Sequence, residues 1–373
     1  MKKRIFLDYA AGRDNPNAIY LEGRIARARL ESARARIAKV LSVATDEIVF
    51  TPWGTEANIF SLGGLTPKSH IITTAIEHKS LLDAFAKFKN VTYLKTNSDG
   101  FITAKQVEGA LRSDTRLVSI MYANNEIGTI QPIKEIARVL RRSGIPPAEV
   151  LGKNPQTIGI RAPRPLFHSD CVQAPGLLPL NMQSLGLDMA SFSAPKFGGP
   201  AGVGFLYIRR GTVADSQPRD AGALPLVEEM AEALEKADKQ FKQNLPTGQA
   251  SKHLKLLKLR DYFIAGVLKN IRASLNGSRE NRLANNANFI FPIDSELAVL
   301  ELDRYGIAAS SGAACSSGEC EDGSHVIIAL GKSKSEASRS VRFSLGRLTS
   351  KSDLDYVVKI LKKVINKHTN LWK

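Results

Sequence analysis

The sequence predicts an α/β fold: a mainly parallel sheet covered by helices on both faces, followed by a smaller α+β unit. Three observations predict it. Short β-type runs alternate with helical segments from about residue 20 to 300. Several of these runs are almost continuously apolar, as strands buried on both faces are. After Leu224 the pattern changes to long helices with isolated strands, the mark of an α+β arrangement. A chain of 373 residues is long enough for two domains with a substantial core.

Each element has a local reason. Glu22 to Leu41 is basic and Ala-rich and reads as a helix. Glu47-Ile48-Val49-Phe50-Thr51 reads as a strand, and Gly54 opens a helix. His70 to Thr74 is a strand, Ser80 to Phe88 a helix, Val91 to Leu94 a strand and Thr103 to Leu111 a helix. Leu117 to Met121 is a nearly continuous apolar strand, followed by a helix from Ile133 to Arg142. Pro165 to Asp170 is another strand, and Val203 to Arg209 a further one. A long helical stretch runs from Leu224 to about Ser274, interrupted at Leu245-Pro246-Thr247-Gly248. Then come a strand at Asn288 to Phe291, a helix from Leu297, a strand at Ser340 to Ser344 and a terminal helix from Ser352. The Pro- and Gly-rich stretch from Ser143 to Pro165 reads as a surface insertion.

Composition narrows the function classes. No apolar stretch approaches the ~20 residues that span a bilayer. The start, Met1 to Asp8, lacks the apolar core of a signal peptide, so a cytoplasmic location is expected. Three cysteines, Cys171, Cys315 and Cys320, are too few for a disulfide scaffold. The Cys315-x4-Cys320 pair has no second ligand pair to complete a zinc site, so no metal is expected. The net charge is +16, but the basic residues are spread over several helices. Solvated Lys/Arg faces explain that better than a nucleic-acid footprint, and direct nucleic-acid binding is not expected.

Several residues could carry chemistry, and each also has a plain structural reading. Cys315 lies in Ser310-Ser311-Gly312-Ala313-Ala314-Cys315-Ser316-Ser317-Gly318. On so small-sided a ribbon a thiol can be carried to a substrate, or can be a loop cysteine with no task. Lys196, between Pro195 and Phe197-Gly198-Gly199, sits on a tight turn. It is either a placed Schiff-base amine or a solvated lysine. Asp170 ends an apolar strand, at the sheet edge where α/β folds bind ligands, and could face a pyridinium nitrogen or cap a turn. Trp53-Gly54-Thr55-Glu56 could hold a phosphate or only start a helix. His78 could stack on a cofactor and move protons, or simply enter a helix. Asn124-Asn125 could donate to a ligand oxygen or serve as turn residues.

In chain order these segments form a recognisable set. It comprises Glu77-His78, the run Asn124 to Ile133, His168-x-Asp170-x-x-Gln173, Ser193-x-x-Lys196, the Cys315 ribbon and Arg342-Phe343-Ser344-Leu345-Gly346-Arg347. The set closely resembles the cysteine desulfurases of the NifS/IscS type, class V aminotransferase-like enzymes of PLP fold-type I. The resemblance runs from Phe6-Leu7-Asp8 to the final helix.

It implies a seven-stranded, mainly parallel sheet in a large domain at 14–247, with a small domain made of 1–13 and 248–373. It implies pyridoxal 5'-phosphate as cofactor, with Lys196 as its Schiff-base lysine, Asp170 on the pyridine nitrogen and Gln173 near the phenolic oxygen. His78 is then the stacking residue and proton shuttle, and Gly54, Thr55 and Ser193 belong to the phosphate cup. Asn125 and Arg342 hold the substrate amino acid, the arginine by its fork. Cys315 is the nucleophile that takes sulfur from L-cysteine as a persulfide and releases alanine. The expected partners are a second copy of the chain, in a homodimer, and a sulfur acceptor such as an iron–sulfur scaffold or a tRNA-thiolation enzyme.

The chain departs from that pattern in three places. Pro195 stands where the family has a histidine on the cofactor phosphate, a loss of about 1–3 kcal/mol for a hydrogen bond to a charged group. The segment Ala214 to Leu224 lacks the family's Arg-x-Gly-Thr. The stretch between Gly12 and Asn15 is short. These departures keep open a second reading, a divergent member with weak or no catalysis that acts as a binding or scaffold protein.

Overall fold

The computed structural model describes residues 5–143, 164–212, 223–242, 252–311 and 323–369. In chain order the first part contains α1 (Leu21–Leu41), β1 (Ile48–Thr51), α2 (Gly54–Phe60), β2 (His70–Thr74), α3 (Lys79–Phe85), β3 (Val91–Leu94), α4 (Ala104–Ala110) and β4 (Thr115–Ser119). It continues through α5 (Ile133–Arg142), β5 (Leu166–Asp170), α6 (Met182–Leu185), β6 (Met189–Ser193), β7 (Gly204–Ile208) and α7 (Leu224–Lys242). Its strands form one seven-stranded sheet in the order β1-β7-β6-β5-β4-β2-β3. β3, β2, β4, β5 and β6 run parallel. β7 alone runs against both of its neighbours, β6 and β1.

The strands read as continuous apolar runs because both faces are covered. Neighbouring residues go to opposite layers. Phe50, Phe167 and Phe192 pack with Ile37 and Leu41 of α1, Leu140 of α5 and Leu234 of α7. Val49, Leu166 and Met189 pack with Ala57 of α2 and Leu81 and Phe85 of α3. Phe192 and Phe205 stack across β6 and β7 with centroids 4.4 Å apart. Two buried histidines bridge strands through hydroxyls. His70 joins Thr115 and Thr92, and His168 joins Ser119 and Ser191. The basic face of α1 meets α7 through Arg29–Glu228 and Arg36–Glu235 at 2.5 and 2.6 Å. These pairs are well exposed, so each is worth little. They account for part of the charge seen in the sequence.

The second part contains α8 (Lys252–Asn270), β8 (Ser274–Leu275), β9 (Asn286–Ile290), α9 (Ser295–Asp303), β10 (Ser310–Ser311), α10 (His325–Ala329), α11 (Lys334–Ala337), β11 (Ser340–Ser344) and α12 (Lys351–Thr369). Its antiparallel sheet has the order β10-β11-β9-β8. Phe263, Phe289, Phe291 and Phe343 form an aromatic cluster at its centre, with its own surrounding core. Among the described residues no helix is long and apolar enough to cross a membrane.

The structure moves several expected boundaries. The strand read at Leu117 to Met121 spans Thr115–Ser119, because Thr115 pairs with His70 although it is polar, with a register shift at Arg116 before Leu117 pairs with Ile71. Ile120 and Tyr122 still donate to β5 backbone, at His168 and Asp170. The helix read from Ser80 to Phe88 is Lys79–Phe85, and the strand read at Asn288 to Phe291 is Asn286–Ile290. α9 begins two residues before Leu297, where Asp294 caps it by accepting from the backbone N–H of Glu296 and Leu297. β6 was not read as a strand, since Met189-Ala190-Ser191-Phe192-Ser193 has no β-branched residue. The surface insertion (144–163), the segment after β7 (213–222) and the interruption between the long helices (243–251) lie outside the described residues.

One buried ion pair ties the ends of three strands. Arg164, just before β5, holds Asp188 with a fork at 2.7 and 3.1 Å. Asp188 also accepts from Phe167 N–H and pairs with Arg209 after β7. Removing one member leaves the other charge buried and uncompensated. Asp188→Ala is expected to lower stability by about 3–5 kcal/mol, read as a fall in the denaturant midpoint.

Candidate active site

Open α/β sheets bind ligands at the C-terminal ends of their parallel strands, and the candidate residues gather there. A cavity of about 210 Å³ is lined by Gly54, Thr55, His78, Asn125, Asp170, Gln173, Ser193, Lys196 and Arg342, together with Trp53, Asn58, Met121, Ala123 and Val172. Nine of the ten residues singled out from the sequence therefore share one cavity. The tenth, Cys315, lies outside the described residues, as does Cys320. Cys171 is free and fully buried. Burial pushes its thiol well up, which makes it a packing residue.

Each strand end delivers its residue by a short turn. Past β1, Gly54 starts α2 against β6. A Cβ there would lie 2.9 Å from that of Ser193 and 3.2 Å from a methyl of Val172, so only glycine allows this approach. That close contact brings Gly54, Thr55 and Ser193 together on the wall of the cavity. Past β6, Lys196 sits on a single 3-10 turn (Ala194–Phe197), started by Pro195 and stopped by Gly198 at φ +86°. Only glycine adopts such an angle without strain. The lysine side chain is exposed at the mouth of the cavity.

At the end of β5, the Asp170 carboxylate is fixed on both oxygens. Val172 N–H donates to Oδ1 and Asn58 Nδ2 to Oδ2, each at 2.9 Å. The same amide nitrogen donates to Ser80 Oγ at 3.1 Å. Ser80 Oγ lies 2.8 Å from Nδ1 of His78, which also accepts from Ser80 N–H. Nδ1 is thus an acceptor, and the neutral ring carries its proton on Nε2. An unbroken chain runs Asp170–Asn58–Ser80–His78. Neither Asn58 nor Ser80 was singled out from the sequence. The available signal was the i, i+4 spacing of Gly54 and Asn58, which places both on one face of α2.

The far wall comes from the second sheet. Arg342 of β11 donates from Nη1 to the carbonyl of Asn125 at 2.9 Å. Its Nε is buried and has no partner among the described residues. The Asn125 loop is held by Asn124, whose Oδ1 accepts from Glu126 and Ile127 N–H and whose amide donates to Ile76 O. Beneath the cavity Glu77 is fully buried and accepts from Thr74 and from Met121 N–H. Burial pushes its carboxyl up to about 8, against those two hydrogen bonds. Burial pushes His168 down to about 3, so it stays neutral behind Asp170.

Comparison with known proteins shows the family of the chain. The family model "Aminotransferase class-V" matches residues 5–146 and 156–243, more than half of the chain, and the chain belongs to that family. Within it the similarity is to cysteine desulfurases. A protein named cysteine desulfurase IscS, from Dictyoglomus turgidum, is 36% identical over 410 residues, covering 98% of this chain and 96% of that protein. Among solved structures, a NifS-like protein superposes with TM-score 0.79 at 30% identity, over 94% of this chain and 91% of that one. A structure titled "SspA in complex with cysteine" has TM-score 0.70 at 27% identity, over 92% and 94% of the two chains.

Proposed function

We propose that this protein is a cysteine desulfurase that binds pyridoxal 5'-phosphate in this cavity and passes sulfur from L-cysteine to Cys315. The observation that carries the reading is the convergence of Lys196, Asp170, His78 and Arg342 on one cavity. The relatives are named for this activity, and a structural neighbour was solved with cysteine.

The donor set fits the cofactor. Gly54, Thr55 and Ser193 all line the cavity, and the backbone N–H groups at the start of α2 with the two hydroxyls suit a phosphate. The doubly held Asp170 carboxylate suits a pyridinium nitrogen, and Gln173 suits the phenolic oxygen. Pro195 adds no donor, so phosphate binding rests on the other residues. When bound, the cofactor supplies an electron sink for charge developing on the substrate. The protein's own residues do the rest. The unpartnered Nε of Arg342 and the Asn125 amide hold the substrate carboxylate. The Lys196 amine takes the Cα proton, and Nε2 of His78 holds or returns a proton. The Cys315 thiolate attacks the substrate sulfur. An S–S bond forms, the Cβ–S bond breaks with its electron pair left on carbon, and that carbon takes a proton. L-cysteine plus thiol becomes L-alanine plus persulfide, with no outside oxidant.

The residue ranges 14–247, and 1–13 with 248–373, serve as the large and small domains in this reading. A homodimer and a protein sulfur acceptor belong to it as well, as does a cytoplasmic location. The exposed apolar residues Ile5, Leu7 and Ile19 before α1 support a covered face. The purified protein is expected to show a near-visible absorbance band, fixed onto Lys196 by borohydride, and to release alanine from L-cysteine. Cofactor binding without alanine would sink the enzymatic reading in favour of a binding protein. Asp170→Ala is expected to cut alanine release by about 10²-fold or more, as loss of a pre-organised charge does. The check is steady-state alanine production at matched cofactor content.

A further inference from the structure

The wall that joins Asn125 to Arg342 is held by two asparagines that do not line the cavity. Asn286 and Asn288 both lie on β9, 4% and 0% exposed. Each donates from its side-chain amide to the carbonyl of Glu126, at 3.0 and 3.1 Å. The preceding carbonyl, that of Asn125, accepts from Nη1 of Arg342 at 2.9 Å. Two successive carbonyls at the edge of the large sheet thus take three side-chain donors from the second sheet. β9 and β11 are antiparallel neighbours, and Asn288 stands directly opposite Arg342 in their register. Opposed residues send their side chains to the same face of a sheet, so the amide and the arginine reach the loop side by side.

Neither amide is free to turn. Asn288 Oδ1 accepts from the Ser340 hydroxyl and from Asn276 Nδ2, both at 2.8 Å. Asn286 Oδ1 accepts from Nη1 of the buried Arg282 at 3.0 Å. With both oxygens taken by donors, both NH₂ groups must face Glu126. The loop approaches closely because residue 128 is glycine, at φ +74°, where a Cβ would lie 2.7–2.8 Å from the Asn286 side chain. Backbone bonds from Leu283 N–H to Gly128 and from Ile130 N–H to Asn281 close the same seam. An arginine side chain has many rotamers to lose. Its fork stays aimed only if the strand beneath it keeps a fixed distance from the loop it faces. Apolar contacts are non-directional and do not set such a distance, whereas the two amide bonds do.

We propose that Asn286 and Asn288 are positioning residues for the substrate carboxylate, which set the gap between Asn125 and Arg342 by tying the Glu126 carbonyl to β9. The proposal rests on the desulfurase reading, in which Asn125 and Arg342 hold that carboxylate. Neither asparagine touches the substrate. Both act on the carboxylate end of an amino acid and leave its amine end, at Lys196, as it was.

The test measures binding to full-length, cofactor-loaded protein by the absorbance change on mixing. Two probes are compared: L-alanine, the product, and ethylamine, which is alanine without its carboxylate. Asn288→Ala and Asn286→Ala are each expected to weaken L-alanine binding about 5- to 10-fold, the scale of one hydrogen bond. Ethylamine binding and cofactor content are expected to stay within about twofold of wild type, below the worth of one such bond. In an Arg342→Ala background, Asn288→Ala is expected to cost less than about twofold for L-alanine, because its effect runs through that arginine. Asn288→Ser, which keeps a hydroxyl beside Ser340, makes the same comparison if the alanine variant unfolds. Unchanged L-alanine binding in the asparagine variants would overturn the proposal. So would an equal loss for ethylamine, or a full additional loss in the Arg342→Ala background. Wild-type protein that binds ethylamine as well as L-alanine, or Arg342→Ala protein that binds L-alanine normally, is a different outcome. It would remove the reading of Arg342 as the carboxylate residue.

Discussion

Lys196→Ala is expected to abolish the borohydride-fixable absorbance band and to lower alanine release by at least about 10³-fold, the scale for a positioned proton-transfer group. The turn holding Lys196 is short and closed at both ends, by Pro195 and by Gly198 in the left-handed region. Among the described residues no other lysine lines the cavity, so none of them stands ready to replace it. Lys196→Arg separates charge from chemistry. It keeps a cation at the mouth, but a guanidinium is not deprotonated in proteins and cannot take the Cα proton. Activity equal to wild type in either variant would remove Lys196 from the mechanism. The fold should survive both changes, because the side chain is exposed and supports no core contact.

Cys315→Ala is expected to leave cofactor content and L-cysteine binding unchanged and to lower alanine formation by about 10³-fold or more. That is the scale for exchanging a held nucleophile for one from solution. The split between intact binding and lost turnover is the diagnostic feature. Cys171 cannot substitute, being fully buried with its thiol pushed well up. A residual rate that rises with added small thiol would show that only the acceptor is missing. Unchanged turnover would assign the sulfur to another acceptor and leave the Cys315 ribbon without a task.

Much of the fold was legible because covered parallel strands must be apolar on both faces. Ile71, Val118 and Phe167 announce themselves in that way. β6 did not, since Ala190, Ser191 and Ser193 are small, none of its residues is β-branched, and its neighbours, not its own propensity, make it a strand. The site was legible as far as the side chains that line the cavity. Asp170, His78, Lys196 and Arg342 have side chains whose chemistry is specific. The amide and hydroxyl that join two of them were not legible. Asn58 and Ser80 are ordinary helix residues until the sheet brings Asp170 and His78 within reach of one another.

The reversed direction of β7 has a consequence for how the activity can change. The chain leaves the ligand-facing edge of the large sheet at Val203, and among the described residues no later strand of that sheet returns to it. In the proposed reading the substrate carboxylate is held from two sides, by Asn125 at the large sheet's own edge and by Arg342 of β11, which is built on a separate aromatic core. Repacking around Phe289 and Phe343 is therefore expected to act on the arginine side and to retune which amino acid fits, while Gly54, Thr55, Ser193 and Lys196 stay on the large sheet and keep their hold on the cofactor.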